Sequence, residues 1–68
     1  MRVRVEPLPG GAEREIELPA SACGADLVKA LGLALDAHIL VRGDDPIPED
    51  EPLRDGERIR LLAVVSGG

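Results

Sequence analysis

Phenylalanine, tyrosine and tryptophan are all absent from the 68 residues, so any core must be built from Val, Ile, Leu and Ala. The order in which these residues alternate with polar ones then becomes the main guide to the fold. Arg2-Val3-Arg4-Val5-Glu6 has a period of two, the mark of a half-buried strand with Val3 and Val5 inward. Pro7-Leu8-Pro9-Gly10-Gly11 breaks the pattern as a turn. Alternation resumes over Glu13 to Leu18, with Ile16 and Leu18 on the buried face and the polar residues interleaving with the arginines of the first strand. The two runs predict an antiparallel hairpin.

A short helix follows, in which Leu27, Ala30 and Leu31 share one face and Asp26 lies in the first turn, at the positive end of the helix dipole. Either Cys23 or Ser21 is its N-cap. Gly32 stands where a left-handed residue stops a helix, with Leu33 placed to fold back on Val28. Ala37 to Val41 reads as a third strand with Ile39 and Val41 inward and His38 and Leu40 outward. Pro46-Ile47-Pro48 supports only a brief edge segment, because proline cannot donate to a ladder. The last strand spans Glu57 to Val65, with Ile59, Leu61, Ala63 and Val65 on one face and Arg58, Arg60, Leu62 and Val64 on the other. One helix across a mixed sheet of four to five strands is a two-layer α+β arrangement. The first and last strands can pair in parallel only through a crossover, which the helix-containing segment provides.

A chain this short makes one domain that buries roughly 60% of its unfolded surface. Residues 1–68 are read as that domain, ending in a flexible tail over 66–68. The lone cysteine, Cys23, excludes an intrachain disulfide and a cysteine-based metal cluster, and fits a reducing cytoplasm. No signal peptide is read at Met1, and no apolar run approaches the ~20 residues that cross a bilayer. The net charge is −5, and the segment Asp44 to Arg58 carries all of the excess, with seven acids against two bases. An acidic chain without aromatic rings lacks both a phosphate-neutralising surface and a stacking platform, so direct nucleic-acid binding is not expected.

The sequence ends in Val64-Val65-Ser66-Gly67-Gly68. Glycine has no Cβ, so a Gly-Gly tail can lie flat in a narrow enzyme cleft with its carboxylate free for attack on a nucleotide phosphate. A frayed terminus is the plain alternative. The three residues after Val65 span about 10 Å when extended, enough to enter a cleft while the body stays outside.

Four stretches taken in order are similar to one known group. They are Arg2-Val3-Arg4-Val5; Ala25 to Leu31; Val41-Arg42-Gly43 with Pro46 to Asp50; and Asp55-Gly56 leading to Val65-Ser66-Gly67-Gly68. Over essentially its full length the chain resembles the ubiquitin-like, β-grasp sulfur carriers and small modifiers. These include the small archaeal modifier proteins, the thiamine- and molybdopterin-pathway carriers, and the carrier for tRNA 2-thiouridine synthesis. It looks closest to the tRNA-thiolation carriers and archaeal modifiers. Ala63-Val64 stands where molybdopterin-type carriers commonly have paired prolines.

The resemblance implies a non-catalytic cytoplasmic monomer that is activated at Gly68, next to Gly67, by an E1-like adenylating enzyme using ATP and Mg²⁺. Persulfide sulfur from a donor or sulfurtransferase would give a thiocarboxylate for a tRNA-thiolation enzyme. Attack by a lysine of a target protein would instead give an isopeptide bond. Two alternatives are a molybdopterin-synthase small subunit and a thiamine sulfur carrier. A non-catalytic β-grasp binding module with an inert tail is an alternative of another class. Beside the tail, Leu40, Leu62 and Val64 are read as an apolar docking patch framed by Arg42, Arg58 and Arg60 and leading to Ser66.

Other candidates carry plainer readings. Cys23 has no activating base in its pattern and reads as a buried or helix-end thiol. His38 reads as a surface histidine, and Glu49-Asp50-Glu51 as a solvated loop without the spacing of a calcium site. Gly10-Gly11 lacks the Lys-Ser/Thr of a phosphate loop. Lys29, the only lysine, is a surface helix residue or an acceptor for self-conjugation. No cofactor and no metal are expected.

Overall fold

The computed structural model describes residues 1–8 and 10–64. The readings made for Val65, Ser66, Gly67 and Gly68 lie outside the described residues. Strands β1 (Arg2–Leu8) and β2 (Arg14–Glu17) form the expected hairpin, with Val3 opposite Ile16. Arg2 lies 3.5 Å from Glu15 and 3.8 Å from Glu17, the interleaving that the alternation predicts. β1 runs on through Pro7 and Leu8, residues expected to turn. Pairing with β2 stops at Val5, and beyond it β1 has only one partner strand, a position where proline is tolerated.

Helix α1 (Gly24–Ala30) is capped by Cys23, and the Asp26 carboxylate accepts the Cys23 backbone N–H at 2.9 Å. That bond resolves the choice between Cys23 and Ser21, and it holds the Asp26 carboxyl below its ordinary range. Gly32, at φ 71, ends the helix. Its N–H donates to the Lys29 carbonyl at 2.9 Å and the Leu33 N–H to that of Val28 at 3.2 Å, the bond pair of a Schellman closure. Leu33 itself stays exposed, so the closure rests on backbone bonds rather than on packing against Val28.

A 3-10 turn over Leu35–Ala37 leads into β3 (His38–Arg42), then β4 (Asp45–Ile47) and β5 (Arg58–Ala63). The five strands lie in the order β2-β1-β5-β3-β4, with β1 and β5 parallel at the centre and the other pairs antiparallel. The fold is α+β, as expected. Val3, Val5, Ile59 and Leu61 from the sheet meet Leu27 and Val28 from the helix in one core, all six at or near complete burial. The inner face is not covered along its whole length, because Ala63, expected inward, is exposed.

β3 is one residue out of phase with its expected orientation. Leu40 is 3% exposed and belongs to the core, whereas Ile39 is 39% exposed on the opposite face. Counting apolar residues favours Ile39 and Val41 as the inward pair. The longer side chain of Leu40 instead pairs with Leu61 and extends beneath the start of α1. A Cβ placed on Gly24 would lie 2.6 Å from Leu40 Cδ1 and 3.3 Å from the Glu49 carbonyl oxygen. Glycine at position 24 therefore makes room for the inward leucine. Gly24→Ala is expected to lose about 1–3 kcal/mol from overpacking, against a helix-propensity gain of about 1 kcal/mol. Chemical denaturation followed by far-ultraviolet circular dichroism measures the balance, since no aromatic residue reports by fluorescence.

Candidate docking face and tail root

The helix covers one face of the sheet, and the residues of opposite phase form the other. On that outer face the strand register aligns side chains in rows across β1, β5 and β3. Leu8, Leu62 and Ile39 form one row, and Glu6, Arg60 and Val41 form the next. Leu62 is 36% exposed and Ile39 39%, and Leu8 and Val41 are half-buried. The apolar row lies at the end of β5 from which the chain continues to Val64. There the Val64 N–H donates to the Ala37 carbonyl at 2.9 Å. This is the bond nearest the tail among the described residues.

Two expected members of the patch are displaced. Leu40 is in the core, and Ile39 takes its place beside Leu62. Arg42 shares the inward phase of Leu40 and does not frame the outer face. Its Nε donates to Glu57 at 2.7 Å, Nη1 to Glu51 at 2.9 Å, and Nη2 to the Pro52 carbonyl at 3.0 Å. Leu62 and Arg60 stand on the outer face as expected, and Val64 is half-buried at the root of the tail. Ser66, Gly67 and Gly68 lie outside the described residues.

Leu8 and Ile39 are the patch residues that sequence reasoning missed. By its flanking prolines Leu8 reads as a turn residue, and by alternation Ile39 reads as core. The inward phase of Arg42, and with it the outward phase of Ile39, is set by Glu51, Pro52 and Glu57, partners that only the fold brings to that side.

Charge on the outer face is largely balanced within the face. Arg58 pairs with Glu13 at 2.9 Å and Arg60 with Glu6 at 3.5 Å, in addition to the Arg2 pairs. These exposed pairs contribute about 0–1 kcal/mol each. Their main effect is to leave the row of Leu8, Leu62 and Ile39 as the distinctive chemistry of this face.

The Arg42 cluster is the better shielded one. Burial raises the Glu57 carboxyl, but hydrogen bonds from Arg42 and the Arg54 N–H, with the Arg42 charge, outweigh it and hold the group below its ordinary 4.5. The Arg42 guanidinium is correspondingly raised, chiefly by its bonds to Glu57 and Glu51. A carboxyl depressed in the folded state stabilises above its unfolded pKa, and the contribution is lost as pH falls through the folded value. Glu57→Gln is therefore expected to destabilise by about 1–3 kcal/mol near neutral pH. The gap from the native protein should close as pH falls below the ordinary carboxylate range, which urea titrations at both pH values would show.

His38 lies in the inward phase of β3, half-buried, with Nδ1 2.7 Å from the Ala34 carbonyl. It is a turn-bracing residue rather than the outward surface histidine expected. Cys23 is a half-buried helix-end thiol. Glu51 of the acidic triplet is engaged by Arg42, and no group of three or more His, Cys, Asp or Glu placed to hold a metal occurs among the described residues. No helix among the described residues is long and apolar enough to cross a membrane. Lys29 is exposed on α1.

The sequence model of the family called small archaeal modifier protein 2 matches residues 1–65. The chain belongs to that family. It is a small ubiquitin-like protein of the modifier and sulfur-carrier kind. Its fold is shared with SAMP1 from Haloferax volcanii, at 17% identity over the whole of both chains and a TM-score of 0.76. The ubiquitin of Caldiarchaeum subterraneum is similar at 20% identity, covering all of this chain and 98% of the other, with a TM-score of 0.75. At these identities the likeness speaks for the β-grasp fold. The family match carries this modifier's membership, and it stops short of Ser66, Gly67 and Gly68.

Proposed function

We propose that this modifier is a protein co-substrate whose Gly68 carboxylate is adenylated by an E1-like enzyme. A carboxylate is a poor electrophile, because its charge repels nucleophiles and its leaving group would be oxide. Joining it to AMP supplies a good leaving group. Persulfide sulfur then converts Gly68 to a thiocarboxylate, and tRNA thiolation is the use we favour. Attack by a lysine amine on the same activated carbon gives an isopeptide bond instead. One observation carries the reading: in a member of this family, the central strand β5 runs out of the sheet beside the Leu8-Leu62-Ile39 row and leads towards Gly67-Gly68. The row gives the activating enzyme a dry surface to grip, and the residues that follow can reach its nucleotide.

The test is mass spectrometry of the intact protein from its native cell. A mass gain equal to sulfur replacing oxygen, localised to Gly68, supports sulfur carriage. A Leu61–Gly68 remnant on lysines of other proteins after trypsin supports tagging, because Arg60 is the last basic residue. A terminus that bears neither mark, and that the activating enzyme leaves untouched, would make the chain a binding module with an inert tail.

A further inference from the structure

We infer that His38 is a positioning residue for the reaction at Gly68: by bracing one turn it fixes the point at which the chain leaves the sheet, and with it the reach of the tail. The inference rests on the proposed activation of Gly68. Its observations form one connected series. The pairing of β3 with β5 ends where His38 lies opposite Ala63. One residue further on, the Val64 N–H donates to the Ala37 carbonyl at 2.9 Å. That carbonyl belongs to the 3-10 turn Leu35–Ala37, so this bond is only as firm as the turn itself.

The turn has little else to hold it. A single turn of 3-10 helix has poor hydrogen-bond geometry. None of its three residues is buried, only Leu35 leans on the core, and Ala34 at the N-cap supplies no capping side chain. The Ala37 N–H closes the turn on the Ala34 carbonyl at 3.2 Å, the long end of the range. His38 Nδ1 meets the same carbonyl at 2.7 Å. A carbonyl only accepts, so Nδ1 carries the hydrogen. Among the described residues, the His38 ring is the one side chain hydrogen-bonded to this turn. Without the brace, Val64 leaves the sheet. Five residues rather than four then separate the last bonded position from the end of Gly68. The tail gains about 3.5 Å of reach and one more residue of conformational freedom, so its carboxylate spends less time at the nucleotide. Leu8, Leu62 and Ile39 keep their places in the ladder. Loss of the brace should therefore slow adenylation of bound modifier rather than weaken its docking.

The experiment compares the native chain with His38→Leu, which has no donor, and His38→Asn, whose amide nitrogen stands where Nδ1 does. Amide hydrogen exchange read by NMR follows the Val64 bond, and ATP–pyrophosphate exchange with the activating enzyme gives kcat and KM. In His38→Leu, protection of Val64 should fall about three- to tenfold, the range that one net hydrogen bond supplies, while protection of Leu61 holds. The kcat should fall by a similar factor with KM unchanged, and His38→Asn should restore both Val64 protection and kcat. Unchanged Val64 protection in His38→Leu would overturn the inference, as would lost protection with a native kcat. Protection lost along the whole of β5, a rise in KM, or a failure of His38→Asn to restore the rate would mark a merely structural role and overturn it too. All of these leave the proposed function standing. If the native chain is not adenylated at all, the proposed function fails and this inference fails with it.

Discussion

A chain cut back by Gly67 and Gly68 is expected to lose activation completely while keeping its fold. Every core residue, and the bond from Val64 to Ala37, precedes the cut, so circular dichroism and the thermal midpoint should match those of the full chain. Adenylation should fall to background in an ATP–pyrophosphate exchange assay with the activating enzyme. Two causes act together. The cut removes the residues that fit a narrow cleft without steric cost, and it moves the carboxylate back by about 7 Å, out of reach of the nucleotide. Restoration of thiolation or conjugation by the shortened chain in a deletion strain would falsify the carrier reading.

The second large effect separates neighbours on one strand. Leu40→Ala is expected to cost about 2–5 kcal/mol, by creating a cavity under the helix start. A single core in a chain this short rarely supplies more than about 3–5 kcal/mol, so this variant should be largely unfolded. Ile39→Asp, one residue away, should change stability by at most about 1 kcal/mol, because its side chain already meets water. It should nevertheless raise the KM for the activating enzyme more than tenfold, the effect of losing about 1.4 kcal/mol or more of contact at a docking surface. Denaturation curves and exchange kinetics on the two variants test both halves. Should Ile39→Asp bind and activate normally, the outer row is not the docking face.

Where local rules govern the backbone, the sequence was legible. The alternation in β1, β2 and β5 places the valines, Ile59 and Leu61 in the core, and Gly32 marks the helix stop to the residue. The phase of β3 could not be read the same way. Its sequence, His38-Ile39-Leu40-Val41-Arg42, offers apolar residues to both faces. The choice is made by partners distant in sequence: Gly24 above Leu40, and Glu51 and Glu57 around Arg42. Pro7 misled for a similar reason, since a proline reads as a break unless the strand on one side is known to have ended. The docking row was half legible, because Leu62 follows from the alternation of β5, whereas Leu8 and Ile39 required the register of three strands.

The parallel pairing of β1 with β5 has a consequence for biosynthesis. β1 is made early, but its central neighbour is made after every other strand, so the sheet cannot close while the ribosome is still translating the middle of the chain. Contacts this distant in sequence slow folding and delay it until β5 has been made. Nascent chains that have not yet made β5 would lack the three-strand row of Leu8, Leu62 and Ile39. Ordering the strands in this way ties completion of the outer row to the synthesis of β5.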